Sequence, residues 1–216
     1  MKIKGVIFDL DGTLYDYETC NRLAEKQLME TVCSQFGISG KTARTLFSEA
    51  KRIVKKQAGN TAASHNRLLY MQILCELQKV PPLVCALDFY EFYWSTMLET
   101  MQLYPYVKPV FKFLHQHNCA IGILTDLTVH IQHRKIRKLG IEKEIDYFTS
   151  SEEAGAEKPS DIIFEKMLQK IPCEPQELLM IGDNQERDVQ GALHAGMQAI
   201  LFRPDMDILE QIKERI

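Results

Sequence analysis

Phe8-Asp9-Leu10-Asp11-Gly12-Thr13-Leu14 sets two carboxylates one residue apart, after the apolar run Ile3, Val6, Ile7 and Phe8 and just before a glycine. The run reads as a buried strand, and Gly12 ends it. Residues two apart on a strand project to the same side, so Asp9 and Asp11 leave its C-terminal end close together and face one cavity. An Asp-Gly turn alone would need no chemistry. Three further motifs follow in order. Ile121 to Leu124 run into Thr125-Asp126; Glu157-Lys158-Pro159-Ser160 offers a lysine at a loop-to-helix boundary; Leu178 to Ile181 run into Gly182-Asp183-Asn184, with Asp188 five residues after Asp183. Two of these three, like the first, stand at the end of an apolar strand.

Between about 15 and 103 the chain reads as helical, with apolar residues at helical spacing. These are Leu28, Val32 and Phe36; Leu68, Met71, Leu74 and Leu77; and Leu83, Leu87, Tyr90, Trp94, Leu98 and Met101. Gly37, Gly40, Gly59 and Pro81-Pro82 are the natural breaks. After about Tyr104 the texture alternates. Helices are expected at 107–117, 128–139, 160–170, 186–195 and 205–215, and strands at 119–124, 146–149, 178–182 and 198–202. Strands separated by helices of this length predict a parallel α/β sheet. The first strand must join that sheet, so residues 15–103 form an insertion into a core of 1–14 and 104–216. In such sheets ligands sit outside the C-terminal strand ends, where Asp9, Thr125 and Asp183 all fall.

The four motifs resemble those of the haloacid dehalogenase superfamily of phosphatases and phosphotransferases. The likeness covers residues 3–14 and about 104–203, while 15–103 resemble the family's helical cap only in a general way. It implies a Rossmann-like core with an inserted all-α cap. It also implies Asp9 as nucleophile, Asp11 as general acid and base, Thr125 as phosphate ligand and Lys158 as organiser of charge. Asp183 and the backbone carbonyl of Asp11 would join Asp9 as magnesium ligands, with Asp188 the supporting acid.

Four acids, Asp9, Asp11, Asp183 and Asp188, together with a phosphate dianion would repel one another with only Lys158 to oppose them. The cluster therefore calls for a cation, and Mg²⁺ suits it: it keeps waters, takes one or two carboxylates and accepts a phosphate oxygen. Asp9 would attack phosphorus to give an aspartyl-phosphate. Asp11 would protonate the departing alkoxide and then deprotonate water. Thr125, with Asp126 and the backbone N–H groups of the next helix start, would hold the phosphoryl oxygens.

The polar run Ser64-His65-Asn66-Arg67 stands at the start of a cap helix. Two readings fit: Thr61 or Ser64 serves there simply as an N-cap, or His65, Asn66 or Arg67 reaches the substrate, Arg67 being favoured for its bidentate fork. His130 and His133, three apart on a helix without a nearby third ligand, read as a solvated face.

Of the 216 residues, 26 are Lys or Arg and 29 Asp or Glu, a net charge of −3 that gives no basic field for nucleic acid or an acidic membrane. The six cysteines, at 20, 33, 75, 85, 119 and 173, lack regular pairing and read as reduced thiols. Asp9 interrupts the first apolar run too early for a signal peptide. Expected, then, is a cytoplasmic Mg²⁺-dependent phosphatase, monomer or weak homodimer, acting on a small phosphorylated metabolite such as a sugar phosphate or nucleotide. A phosphomutase, a phosphonate-cleaving enzyme, a catalytically idle sensor of a phosphorylated ligand and a dehalogenase remain as alternatives.

Overall fold

The computed structural model describes residues 2–216. The chain divides into two compact units, Met1–Tyr17 with Gln102–Ile216, and Glu18–Met101.

The first is α/β. Strands β1 (Gly5–Phe8), β2 (Ala120–Thr125), β3 (Tyr147–Ser150), β4 (Leu178–Gly182) and β5 (Gln198–Leu201) form one sheet in the order β3-β2-β1-β4-β5. Every neighbouring pair is parallel. All residues of β1 and β4 are buried, as expected of strands covered on both faces. From β1 the chain winds outward through β2 to β3, then crosses to β4 and β5 on the other side. This reversal opens a crevice at the C-terminal edge of β1. Phe8 pairs with Ile123 of β2 and Ile181 of β4, so the residues that follow these three strands emerge side by side.

The covering helices are α5 (Val107–Gln116), α6 (Val129–Leu139), the short α7 (Ser151–Ala154), α8 (Asp161–Leu168), the short α9 (Gly191–His194) and α10 (Ile208–Lys213). For this numbering the helices of the other unit are α1 (Tyr17–Phe36), α2 (Gly40–Ala58), α3 (Arg67–Leu77) and α4 (Ala86–Thr100). Expected and observed α/β elements agree to within about three residues at each end. The exception is the helix expected over 186–195, which is a π-helical turn, Gln185–Gln190, running into α9. On one face of the sheet Ile7, Leu124 and Met180 pack with Ile163, Phe164 and Met167 of α8. Each such buried side chain contributes about 1.5–3 kcal/mol.

In the helical unit the register of α4 differs from the expected one. The stripe Leu83, Leu87, Tyr90, Trp94, Leu98 is replaced by Phe89, Tyr93, Trp94 and Met97 as the buried face, and Leu83 and Leu87 are exposed. A 3-10 turn over Pro82–Val84 separates Leu83 from the helix, so the spacing that ran through it does not continue into α4. The six cysteines are free thiols; those of Cys75 and Cys85 lie 3.3 Å apart, and burial with Cys85 alongside pushes Cys75 up to about 12. Among the described residues no helix is long and apolar enough to cross a membrane.

Candidate active site

The site is built from strand ends. Asp9 follows β1, with its N–H bonded to the carbonyl of Ile181 at 2.9 Å; Thr125 closes β2 and Asp183 follows β4. Two glycines make the packing possible. Gly12 has φ +85°, and a Cβ there would stand 2.5 Å from Asp183 Oδ2, so a side chain at this turn would displace the acid. A Cβ on Gly182 would lie 2.3 Å from Asp188 Cγ. Tyr106 fixes the turn by donating to the carbonyl of Thr13 at 2.6 Å.

Lys158 is the hub. Its buried ammonium donates to Asp9 Oδ1 at 2.7 Å, Asp188 Oδ1 at 2.6 Å and the carbonyl of Leu124 at 3.1 Å. Burial works against its charge, but Asp188, Asp9 and Asp126 outweigh that and hold the group above its ordinary value. Asp188 is only 1% exposed, and its second oxygen accepts the N–H of Asn184 at 2.9 Å. Burial, with Asp188 and Asp11 nearby, holds the Asp9 carboxyl well above the usual carboxylate range despite Lys158. Burial, Asp188 and Asp11 also raise Asp183.

Asp9, Asp183 and Asp188 bring one carboxylate oxygen each within 4.8 Å of one another, an all-oxygen donor set fit for a hard divalent cation. Each oxygen of Asp188 already accepts a hydrogen bond, from Lys158 and from Asn184, so Asp9 and Asp183 are the better placed of the three to ligate. The raised carboxyls of these two residues are what an added positive charge would relieve.

Other residues stand differently from their sequence expectation. Asp126 braces the structure: Oδ1 accepts the N–H of Lys158 at 3.0 Å and Oδ2 accepts from Arg187 at 3.1 Å. The helix-start N–H groups expected to meet phosphate are partly engaged, since Leu127 donates to Ser151 Oγ at 2.9 Å and Val129 to Glu152 Oε2 at 2.7 Å. In the helical unit neither Thr61 nor Ser64 caps α3. Asn66 does, by accepting the N–H of Leu68 at 2.9 Å. Arg67 is buried, donates to the carbonyl of His65 at 2.7 Å, and lies 5.6–5.7 Å from the rings of Tyr70, Tyr93 and Trp94. Asn66 and Arg67 thus have structural work inside their own unit. His133 packs its ring edge-on against Phe148, 5.1 Å between centroids.

Sequence reading missed two residues of α6. Gln132, fully buried, donates to Thr125 Oγ1 at 2.7 Å and the Asp126 carbonyl at 2.6 Å. Lys135, also buried, donates to both oxygens of Asp11 at 2.8 and 2.6 Å, so Lys158 is not alone in opposing the acids. Both lie in the buried register of α6 with Ile131, Ile136 and Leu139. Polar residues at the apolar positions of the helix that follows Thr125-Asp126 were the available signal.

The all-parallel sheet, with acids gathered at its C-terminal strand ends, is a Rossmann-like α/β core. The chain belongs to the haloacid dehalogenase-like hydrolase family, whose model matches residues 6–202. It is 35% identical over 202 residues to a ribulose-1,5-bisphosphate 5-phosphatase of Halopiger xanaduensis, covering 93% of this chain and 84% of that one. It is 27% identical over 210 residues to a glyceraldehyde 3-phosphate phosphatase of Methanothermobacter thermautotrophicus, covering 97% and 89%. Among solved structures, a haloacid dehalogenase-type phosphatase from Thermococcus onnurineus superposes with TM-score 0.72 at 25% identity, covering 95% of this chain and 88% of that one. A 2-haloacid dehalogenase from Pseudomonas syringae shares the fold at TM-score 0.77 and 23% identity, covering 98% and 97%.

Proposed function

We propose that the protein is a Mg²⁺-dependent phosphatase that hydrolyses a small phosphorylated sugar or related monoester through an aspartyl-phosphate. The observation that carries this reading is the buried Lys158 joined to Asp9 and Asp188, with Asp183 beside them at the strand ends. The named relatives at comparable length act on ribulose 1,5-bisphosphate and glyceraldehyde 3-phosphate, which supports the substrate class.

Lys158 occupies Asp9 Oδ1, so Oδ2 is the nucleophile. It forms a bond to phosphorus as the ester P–O bond breaks, and Asp11 gives its proton to the leaving alkoxide. Water then attacks the aspartyl-phosphate, Asp11 takes its proton, and phosphate leaves as the Asp9 carboxylate is regenerated. Lys158 offsets the charge on Asp9 and on the phosphoryl group throughout. Thr125, with its hydroxyl fixed by Gln132, borders the phosphoryl position. Asp9, Asp183 and the Asp11 carbonyl would hold Mg²⁺, which when bound would supply the counter-charge that lets these acids stay ionised. The remaining task is positioning, the main requirement of phosphoryl transfer.

A panel of phosphate monoesters, assayed for free phosphate with Mg²⁺ and after chelation, tests the proposal. Release of phosphate that needs Mg²⁺ is expected. Isomerised sugar phosphate in place of free phosphate would make the protein a mutase, and full activity after demetallation would remove the metal from the mechanism.

A further inference from the structure

Lys135 is 0% exposed, yet it reaches a carboxylate 124 residues away in the sequence. Its ammonium donates to Asp11 Oδ1 at 2.8 Å and Oδ2 at 2.6 Å. The buried Tyr15 donates its hydroxyl to Oδ1 at 2.5 Å. The ring of Tyr17 lies 5.7 Å from the ammonium. Burying a lysine carries a large desolvation cost, and a position in the apolar stripe of α6 would take methionine or leucine if packing were all it served. The arrangement falls on the acid that the phosphatase reading makes the proton carrier.

A carboxylate offers about four lone-pair positions. Oδ1 accepts from Tyr15 and Lys135, and Oδ2 accepts from Lys135. The open position is on Oδ2. We propose that Lys135, with Tyr15, is the positioning residue for proton transfer: it locks the Asp11 carboxylate so that Oδ2 alone exchanges the proton with the leaving group and with water. This rests on the phosphatase reading. In the first displacement the proton passes from Asp11 Oδ2 to the ester oxygen as its bond to phosphorus breaks. In the second, Oδ2 takes a proton from the water whose oxygen forms the new bond to phosphorus. Lys135 keeps its protons in both steps and acts by orientation.

Proton donation matters for an alkoxide leaving group and hardly at all for p-nitrophenolate, which departs unprotonated. The test therefore compares the first-turnover rate on an alkyl monoester that the wild type hydrolyses with the burst of nitrophenolate from p-nitrophenyl phosphate. Lys135→Met should slow the alkyl first turnover by about 100-fold and the nitrophenolate burst by less than about threefold, with KM little changed. Tyr15→Phe should show the same discrimination at about tenfold. Equal loss on both esters, no loss, or a change confined to KM overturns the inference while leaving the phosphatase reading intact. A wild type that hydrolyses neither ester overturns both. If circular dichroism shows Lys135→Met unfolded, Tyr15→Phe decides: discrimination between esters supports the inference, and its absence overturns it.

Discussion

Both units bury charge, but they partner it differently. In the α/β unit Lys158 and Lys135 are matched to carboxylates brought from 30 to 149 residues away in the sequence. In the helical unit Arg67 rests on the carbonyl of His65, two residues away, and on the faces of aromatic rings. Buried ion pairs rarely improve on well-packed apolar residues of similar volume, because both ions lose their water. A guanidinium against rings keeps favourable electrostatics and large apolar contact. The first arrangement spends stability on chemistry; the second holds helices together. Substitutions that remove activity should consequently fall in the α/β unit, whereas loss of Arg67 should be felt in folding alone.

The largest separation is expected at Asp9. Asp9→Asn keeps the volume and removes the nucleophile, so turnover should fall by roughly three orders of magnitude or more while the circular dichroism spectrum persists. Near-normal turnover would take Asp9 out of that role and blur the contrast between the units.

Lys158→Met should remove activity as well, but with a cost to folding, since Asp9 and Asp188 then lose their shared countercharge. A loss of about 3–5 kcal/mol is expected at neutral pH from denaturant titration. The sign with pH follows from burial, which already raises Asp9. A carboxyl raised in the folded state favours folding when protonated, so its contribution is present below the unfolded value and lost as pH rises through the folded one. The variant's deficit should therefore shrink as pH is lowered. A deficit that grew in acid would reverse the electrostatic account.

Mg²⁺ should stabilise the wild type by about 2.7 kcal/mol at one hundred times its dissociation constant. Because Asp9 and Asp183 are both raised, the protonated acids prevail as pH falls, and the melting shift on adding Mg²⁺ should diminish. An unchanged shift across that range would place the ion away from these residues.

The smallest effect on chemistry, and a clear one on folding, is expected at Arg67. Arg67→Ala should destabilise the protein by about 2 kcal/mol through lost ring and stem contacts. KM should stay as it was across the monoester panel. A changed substrate ranking with unaltered stability would return Arg67 to substrate recognition.

The α/β elements were legible because most of the strands are short apolar runs with a turn signal at the end, and the helices between them carry one apolar face. Asp9, Thr125 and Asp183 stood out as polar residues at such ends, and Lys158 as a lysine at a loop-to-helix boundary. Lys135 and Gln132 did not, since a lysine and a glutamine three residues apart on a helix look solvated until the register is known. On the same helix His130 and His133, read as a solvated face, are both exposed. In α4 the aromatic density let two stripes compete. The buried face is Phe89, Tyr93, Trp94 and Met97, and the 3-10 turn at Pro82–Val84 takes Leu83 out of the helix altogether.

The position of β1 at the centre of the sheet bears on how the protein is made. Gly5–Phe8 needs β2 on one edge and β4 on the other, yet Ala120 and Leu178, where those strands begin, are translated more than a hundred residues later. At cellular rates of synthesis that delay is on the order of ten seconds. During it the helical unit emerges whole and can gather its own core, while four apolar residues wait with both edges unpaired. The central strand, and with it the meeting of Asp9 with Asp183, is therefore completed only once β4 has been made.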